Sequence, residues 1–285
     1  MASTLDISLD PPRASWRDTD MRLRFTLLAF ALVAGRLASD VPPPLHIVHA
    51  YGVKGAALWI DADSGVTADA QGQVTRLVDH MGNFTLKPPG HGPTLVSKAL
   101  NGHAAFCFMG QQSLFSPYGF DSSLDRAMTF IVVASSTAAA DNQRYSIYLG
   151  GNAQAHCNRA LCQYHGKQVL DGQFVIAYGE PVERNAFTID AATLNPGKVR
   201  ATFYRNGKLM LTSGLAIENG SARFDQLSDG VTLGAAPTNL YGWEGDIAEV
   251  IVFDRQLSPE ELQTISTALS AKYKISGASP AQAGG

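Results

Sequence analysis

The chain has 285 residues, 45% of them hydrophobic and 16% charged, and a formal net charge of −3. That length accommodates one large domain or two small ones, and the balance suits a substantial core under a lightly charged surface. Lys and Arg are scattered without a basic run, which excludes the electrostatic footprint of a nucleic-acid partner.

Residues 21–35 read MRLRFTLLAFALVAG, two arginines ahead of an apolar stretch that closes on small residues. The pattern is that of a Sec signal peptide, and it is too short to span a membrane. Asp6, Asp10, Asp18 and Asp20 precede it and do not suit a signal n-region, so Met21 is expected to be the true start. The alternative is a short helix at 25–33 docking on the domain. Pro42, Pro43 and Pro44 form a stiff spacer. Residues 1–50 are therefore expected to be an N-terminal extension, and the mature chain to be secreted, periplasmic or at the cell surface without a membrane span.

From there the composition predicts strands at 57–61, 73–78, 104–108, 128–135, 144–149, 173–178, 199–204, 208–211, 231–234 and 246–253. Trp59 is expected in the core of the first. Asn206-Gly207 separates two of these runs, the strongest short hairpin signal available. In 246–253, alternation places Ile247, Ile251 and Phe253 on one face and Ala248, Val250 and Val252 on the other. Both faces are apolar, so this strand is predicted to be central. Ser258-Pro259-Glu260-Glu261 then opens a helix. Ser258 is a good N-cap, Pro259 fits the first helical position and Glu261 completes a capping box. Leu262, Ile265, Leu269 and Tyr273 follow at helical spacing. Residues 277–285 are small and polar, expected to be a disordered tail. The pattern over 51–276 is all-β: an antiparallel β-sandwich of two packed sheets with a short C-terminal helix.

Several segments also carry a family resemblance. The run from Gly245 through Ile247-Ala248-Glu249-Val250-Ile251-Val252-Phe253-Asp254-Arg255 to Leu257-Ser258 and Glu260-Glu261, ending in a helix and Lys272-Tyr273, resembles the C-terminal end of laminin G-like domains of the concanavalin A-like lectin/glucanase superfamily. Leu58-Trp59-Ile60-Asp61-Ala62 resembles their first strand. Residues 74–79 with Gly82-Asn83, Ala99-Leu100-Asn101-Gly102 and Phe203-Tyr204-Arg205-Asn206-Gly207-Lys208 resemble recurrent internal pieces, in the expected order over roughly 55–275. The resemblance implies a jelly roll. Its functions range over sugar binders, hydrolases and adhesion modules, so fold alone does not choose among them.

Four groups of residues bear on that choice. Glu244, Asp246 and Glu249 form a Glu-x-Asp-x-x-Glu series like the strand motif of the superfamily's β-glucanases. Retaining hydrolysis needs two carboxylates about 5 Å apart across the sugar. Strand alternation sets Glu249 on the face opposite Glu244 and Asp246 unless a bulge intervenes. Asp61, Asp63, Asp79 and Asn83 supply the oxygen ligands that calcium takes from loops, though Asp and Asn equally cap turns. Cys157 and Cys162 could close a small disulfide loop. With His156 and His165 they match zinc in residue type but not in spacing. Cys107 reads as an inert buried thiol, and His46, His49, His80, His91 and His103 show no pairing pattern. Tyr241, Trp243, Tyr118 and Phe120 lie in loop-like segments and are the candidates to stack on a sugar or meet a protein, the alternative for Trp243 being core packing under the helix. No Gly-x-Ser-x-Gly, P-loop or dinucleotide fingerprint occurs in a suitable context. The expectation is a secreted, non-catalytic domain binding a carbohydrate or an extracellular protein surface. The alternatives are a glucanase using Glu244 and Glu249, and a structural protein-interaction module.

Overall fold

The computed structural model describes residues 48–119, 127–138, 146–151, 159–172, 175–195, 200–214, 216–217, 230–235 and 241–276. The signal segment, the proline spacer and the tail expected from the sequence lie outside the described residues. The strands in chain order begin with β1 (Val48–Ala50), β2 (Val53–Asp61), β3 (Val66–Ala68), β4 (Val74–Val78) and β5 (Thr85–Leu86). β6 (Thr94–Leu100), β7 (His103–Met109), β8 (Leu114–Ser116), β9 (Met128–Ser136) and β10 (Ser146–Gly150) follow. Then come β11 (Arg159–Tyr164), β12 (Lys167–Gly172), β13 (Val175–Pro181), β14 (Thr188–Asn195) and β15 (Arg200–Arg205). β16 (Lys208–Gly214), β17 (Ala216–Ile217), β18 (Val231–Leu233) and β19 (Glu244–Phe253) precede the helix α1 (Pro259–Tyr273).

These strands form the antiparallel sandwich expected from the sequence. The first sheet runs β1-β2-β19-β9-β14-β15-β16, with β7 also on β19 and β6 on β7. The second runs β17-β13-β12-β11-β10-β18-β8. The small ladder β3-β4-β5 links the two: Gln73 pairs with Thr94 at the start of β6, and Lys87 pairs with Phe115 in β8. β19 is the central strand of the first sheet. Its N-terminal half pairs with β7, its C-terminal half with β2, and its other edge with β9 along its whole length.

The first sheet is apolar on both faces. Leu58, Ile60, Phe106, Phe130, Val132, Phe203, Val250 and Val252 point into the core between the sheets. Ile131, Val133, Ile189, Ala191, Ile251 and Phe253 point the other way and are covered by Leu262, Ile265, Leu269 and Tyr273 of α1. The capping box of α1 is complete: Glu261 N–H donates to Ser258 Oγ, and Ser258 N–H donates to the Glu261 carboxylate. Glu261 also takes a forked pair of bonds from Arg255, each 2.7 Å long. At the far end of the core, Arg205 on β15 bonds Asp190 on β14 at 2.8 Å and the carbonyl of Pro181 on β13 at 2.7 Å. That guanidinium therefore ties the two sheets together.

The face assignment within β19 differs from simple alternation. The register shifts between Ile247 and Glu249, leaving Ala248 as the extra residue of a β-bulge. Ile247 therefore faces the inter-sheet core with Val250 and Val252, and Ala248 joins Ile251 and Phe253 on the helix side. β14 was absent from the predicted set, although seven of its eight residues are buried. Its two adjacent alanines and Asp190 hide the usual β-branched signature.

The hairpin at Asn206-Gly207 is present. Both residues have positive φ, 48° and 77°, as a two-residue primed turn requires. The turn docks on α1, where a Cβ on Gly207 would stand 3.2 Å from Gln263 and Ser266 side-chain atoms. We expect Gly207→Val to destabilise the fold by about 2 kcal/mol, mainly from the left-handed backbone, read as a lower denaturant midpoint with an unchanged m-value.

Candidate functional site

Among the described residues, the densest polar cluster lies where the C-terminal end of α1 meets β2 and β19. Glu249 is 1% exposed. Its Oε1 accepts from Trp59 Nε1 at 2.7 Å and Tyr51 Oη at 2.9 Å. Its Oε2 accepts from Tyr273 Oη at 2.8 Å, Lys272 Nζ at 2.9 Å and Tyr51 Oη at 3.0 Å. Lys272 also donates to Asp61 at 2.6 Å and stands 3.9 Å from Asp63. Asp63 bonds His103 Nδ1 at 2.6 Å, while His80 stacks on Trp59 and bonds Ser64.

The electrostatics follow from burial with compensation. Burial, and then the charge of Glu249, raise the Tyr51 and Tyr273 phenols well above their ordinary value, so both stay protonated donors. Burial opposes the Lys272 ammonium, but Glu249 and Asp61 outweigh it and raise its pKa. Burial likewise penalises Asp61, yet hydrogen bonds from His80 and Lys272 bring its carboxyl down from 3.8 to about 2. The result is a closed ion network that pins α1 to the sheet.

This arrangement corrects several expectations. The bulge at Ala248 puts Glu249 on the same face as Glu244 and Asp246, not the opposite one. Asp246 pairs with Cys107 and Ser135, Glu244 with Met109, and Glu249 with Val133 on the helix side. The series still does not form a catalytic pair. Glu244 is exposed, Asp246 is bonded to Cys107 with its carboxyl raised by burial, and Glu249 is sealed beneath α1 with every oxygen engaged. Cys107 is half-buried on that outer face, not in the core.

The calcium set is not assembled either. The Lys272 ammonium sits among Asp61, Asp63 and Glu249, where a bound cation would. Asp79 instead turns its carboxylate onto the backbone N–H groups of Met81 and Phe84, and burial raises its pKa. Asn83 contributes to that same turn through its backbone. Among the described residues no group of three or more His, Cys, Asp or Glu side chains could hold a metal ion. Trp59 is half-buried on the helix side, not in the inter-sheet core, and His80 and His103, expected to be unpaired, both join the network. Cys157, His156 and Phe120 lie outside the described residues. Cys162 is fully buried and its thiol faces the carbonyl of Val169 at 3.7 Å.

The aromatic candidates separate. Trp243 is fully buried between the sheets, its ring 3.9 Å from that of Tyr148, and so presents nothing to a ligand. The reason is close backbone passage, since Trp243 N–H and C=O are tied to Gly234 and Gly110. Tyr241 is half-buried against Cys162 and Val169. Tyr118 is 44% exposed. It forms the rim of an open depression of about 380 Å³ with Lys87, Pro88, Pro89, Phe115 and Pro117. Ser116 Oγ accepts from Tyr118 N–H at 3.3 Å and fixes the turn that presents the ring.

The concanavalin A-like lectin/glucanases superfamily matches residues 121–263, half of the chain. The chain belongs to this superfamily. Among solved structures it is similar to domain 4 of an extracellular GH43 arabinanase from Geobacillus stearothermophilus, determined with arabinotriose. The TM-score is 0.50 at 13% identity, covering 74% of this chain and 98% of that one. It is also similar to the ligand-binding domain of botulinum neurotoxin serotype D with N-acetylneuraminic acid, at TM-score 0.50 and 13% identity over 75% of this chain. The receptor-binding domain of the C/D mosaic toxin gives 0.52 and 11% over the same share. The chain spans about half the length of the two toxin chains, 51% of each. No curated protein matches it. At these identities the likeness establishes the fold alone.

Within this superfamily sandwich, sequence reasoning missed Lys272, Tyr51 and Lys87. One signal for the network was available: a lone Glu249 in an otherwise apolar central strand demands a buried partner. We expect Glu249→Gln to cost about 3 kcal/mol, because it strips Lys272 of a buried counter-charge, measured by equilibrium denaturation. A second outcome concerns pH. The folded-state carboxyl of Asp61 lies below its unfolded value, so its contribution is complete above about pH 4 and fades as pH falls toward about 2. Asp61→Asn should lower stability at about pH 5 and flatten the decline across that window in pH-dependent denaturation curves.

Proposed function

We propose that the domain is a non-catalytic carbohydrate-binding module whose contact surface is the rim depression at Tyr118. The observation that carries this reading is an exposed phenol ring beside an apolar hollow with three proline walls. Pyranose rings stack on such rings through their C–H faces, and fixed proline φ angles keep the hollow preformed, which lowers the ordering cost of binding. The sealed position of Glu249 supports the non-catalytic part, because the motif that resembled a glucanase strand is engaged in holding α1. Saccharides appear in the names of two fold neighbours, which is consistent with the reading at the level of fold. The same reading has the chain exported through the segment 21–35, supported by its arginines, apolar run and small residues.

Screening on a glycan array followed by titration calorimetry tests this. We expect saturable binding to at least one saccharide, weakened about tenfold in Tyr118→Ala, the size of one lost aromatic contact. Tyr241→Ala should leave it unchanged. Reducing-sugar release from a polysaccharide panel should be nil for the wild type. Release that disappears in Glu244→Gln would establish a hydrolase instead.

A further inference from the structure

Resting on that reading, we infer that the Tyr118 depression selects a sugar bearing a carboxylate, recognised by Lys87. The backbones of Lys87 and Phe115 exchange both hydrogen bonds, each 2.8 Å long, and thereby join β5 to β8. Residues paired in this way stand side by side on one face with Cβ atoms about 5.5 Å apart. The Lys87 Cβ is thus held beside that of Phe115, and both residues line the hollow with Tyr118.

Among the described residues the charge lining that hollow is one-sided. Lys87 is exposed, and among the described residues its ammonium makes no ion pair or side-chain hydrogen bond. Among the described residues the lining includes no acid: the remainder are prolines, aromatics and a threonine. Arg205, Arg255 and Lys272, by contrast, each face a carboxylate within 2.8 Å. An unengaged cation beside an aromatic platform is complementary to a ligand with an apolar ring face and one anionic group on its edge. An acidic pyranose has both. A neutral sugar would use the platform and leave the ammonium without a partner. A sulfated sugar would offer the same sign of charge, and direct comparison with a sulfated oligosaccharide distinguishes it.

The test is titration of the full chain with oligogalacturonate, oligoglucuronate and sialyllactose, each alongside its methyl ester, and with a sulfated oligosaccharide. The methyl ester keeps the ring and removes the charge. At least one acid should bind at least about fivefold more tightly than its ester, with affinity falling as salt rises. Lys87→Gln should abolish that preference while leaving the melting temperature unchanged. Tyr118→Ala should weaken acid and ester alike. Equal binding of acid and ester, or a preference that survives Lys87→Gln, overturns the inference while the Tyr118 site stands. A sulfated ligand preferred over every carboxylate also overturns it. Binding of all ligands unaffected by Tyr118→Ala overturns the site itself.

Discussion

The carboxylate of Glu249 is the constraint around which the first sheet and its helix are arranged. A charge 1% exposed in the central strand is tolerable only if every lone pair is met and a counter-charge stands beside it. Trp59 from β2, Tyr51 from the β1–β2 turn, and Lys272 and Tyr273 from α1 meet those demands together. Two segments far apart in the chain, the β1–β2 hairpin and α1, thus converge on one residue. The apolar stripe of α1 supplies the burial, and the polar network dictates where along the sheet the helix comes to rest.

The bulge at Ala248 makes this possible. Without it, Glu249 would point between the sheets into a core dominated by Phe, Leu and Val side chains. The extra residue turns it outward, onto the side where α1 waits. The same shift brings Glu249 onto the face of Glu244 and Asp246, so the geometry comes close to the arrangement of a hydrolytic strand and then closes it off. Lys272 takes the place of a cation, the helix covers the acid, and the exposed end of the face keeps only Glu244. The recognition proposed for this domain lies elsewhere, at the proline-walled hollow where the small ladder β3-β4-β5 meets β8.

What was legible in the sequence is what short-range chemistry specifies. The capping box at Ser258 and Glu261, the helical stripe and the Asn206-Gly207 turn each depend on residues within a few positions of one another. The centrality of β19 was legible from its two apolar faces. The bulge was not, because register is decided by the partners on both edges. Lys272 and Asp61 lie 211 residues apart, beyond any local pattern, and the calcium reading of Asp61 and Asp63 failed because the cation they hold is part of the chain. Trp243 resembled a loop aromatic, and only the close passage of its backbone by Gly110 and Gly234 draws it inside.

Whether Glu249 anchors α1 is decided by native-state hydrogen exchange on Glu249→Gln. Amides of α1 should lose protection by a large factor while those of β9 and β14 retain most of theirs, because the helix is released from an otherwise standing sandwich. Unchanged protection across α1 would contradict the claim and return Glu249 to the list of residues whose purpose lies in chemistry.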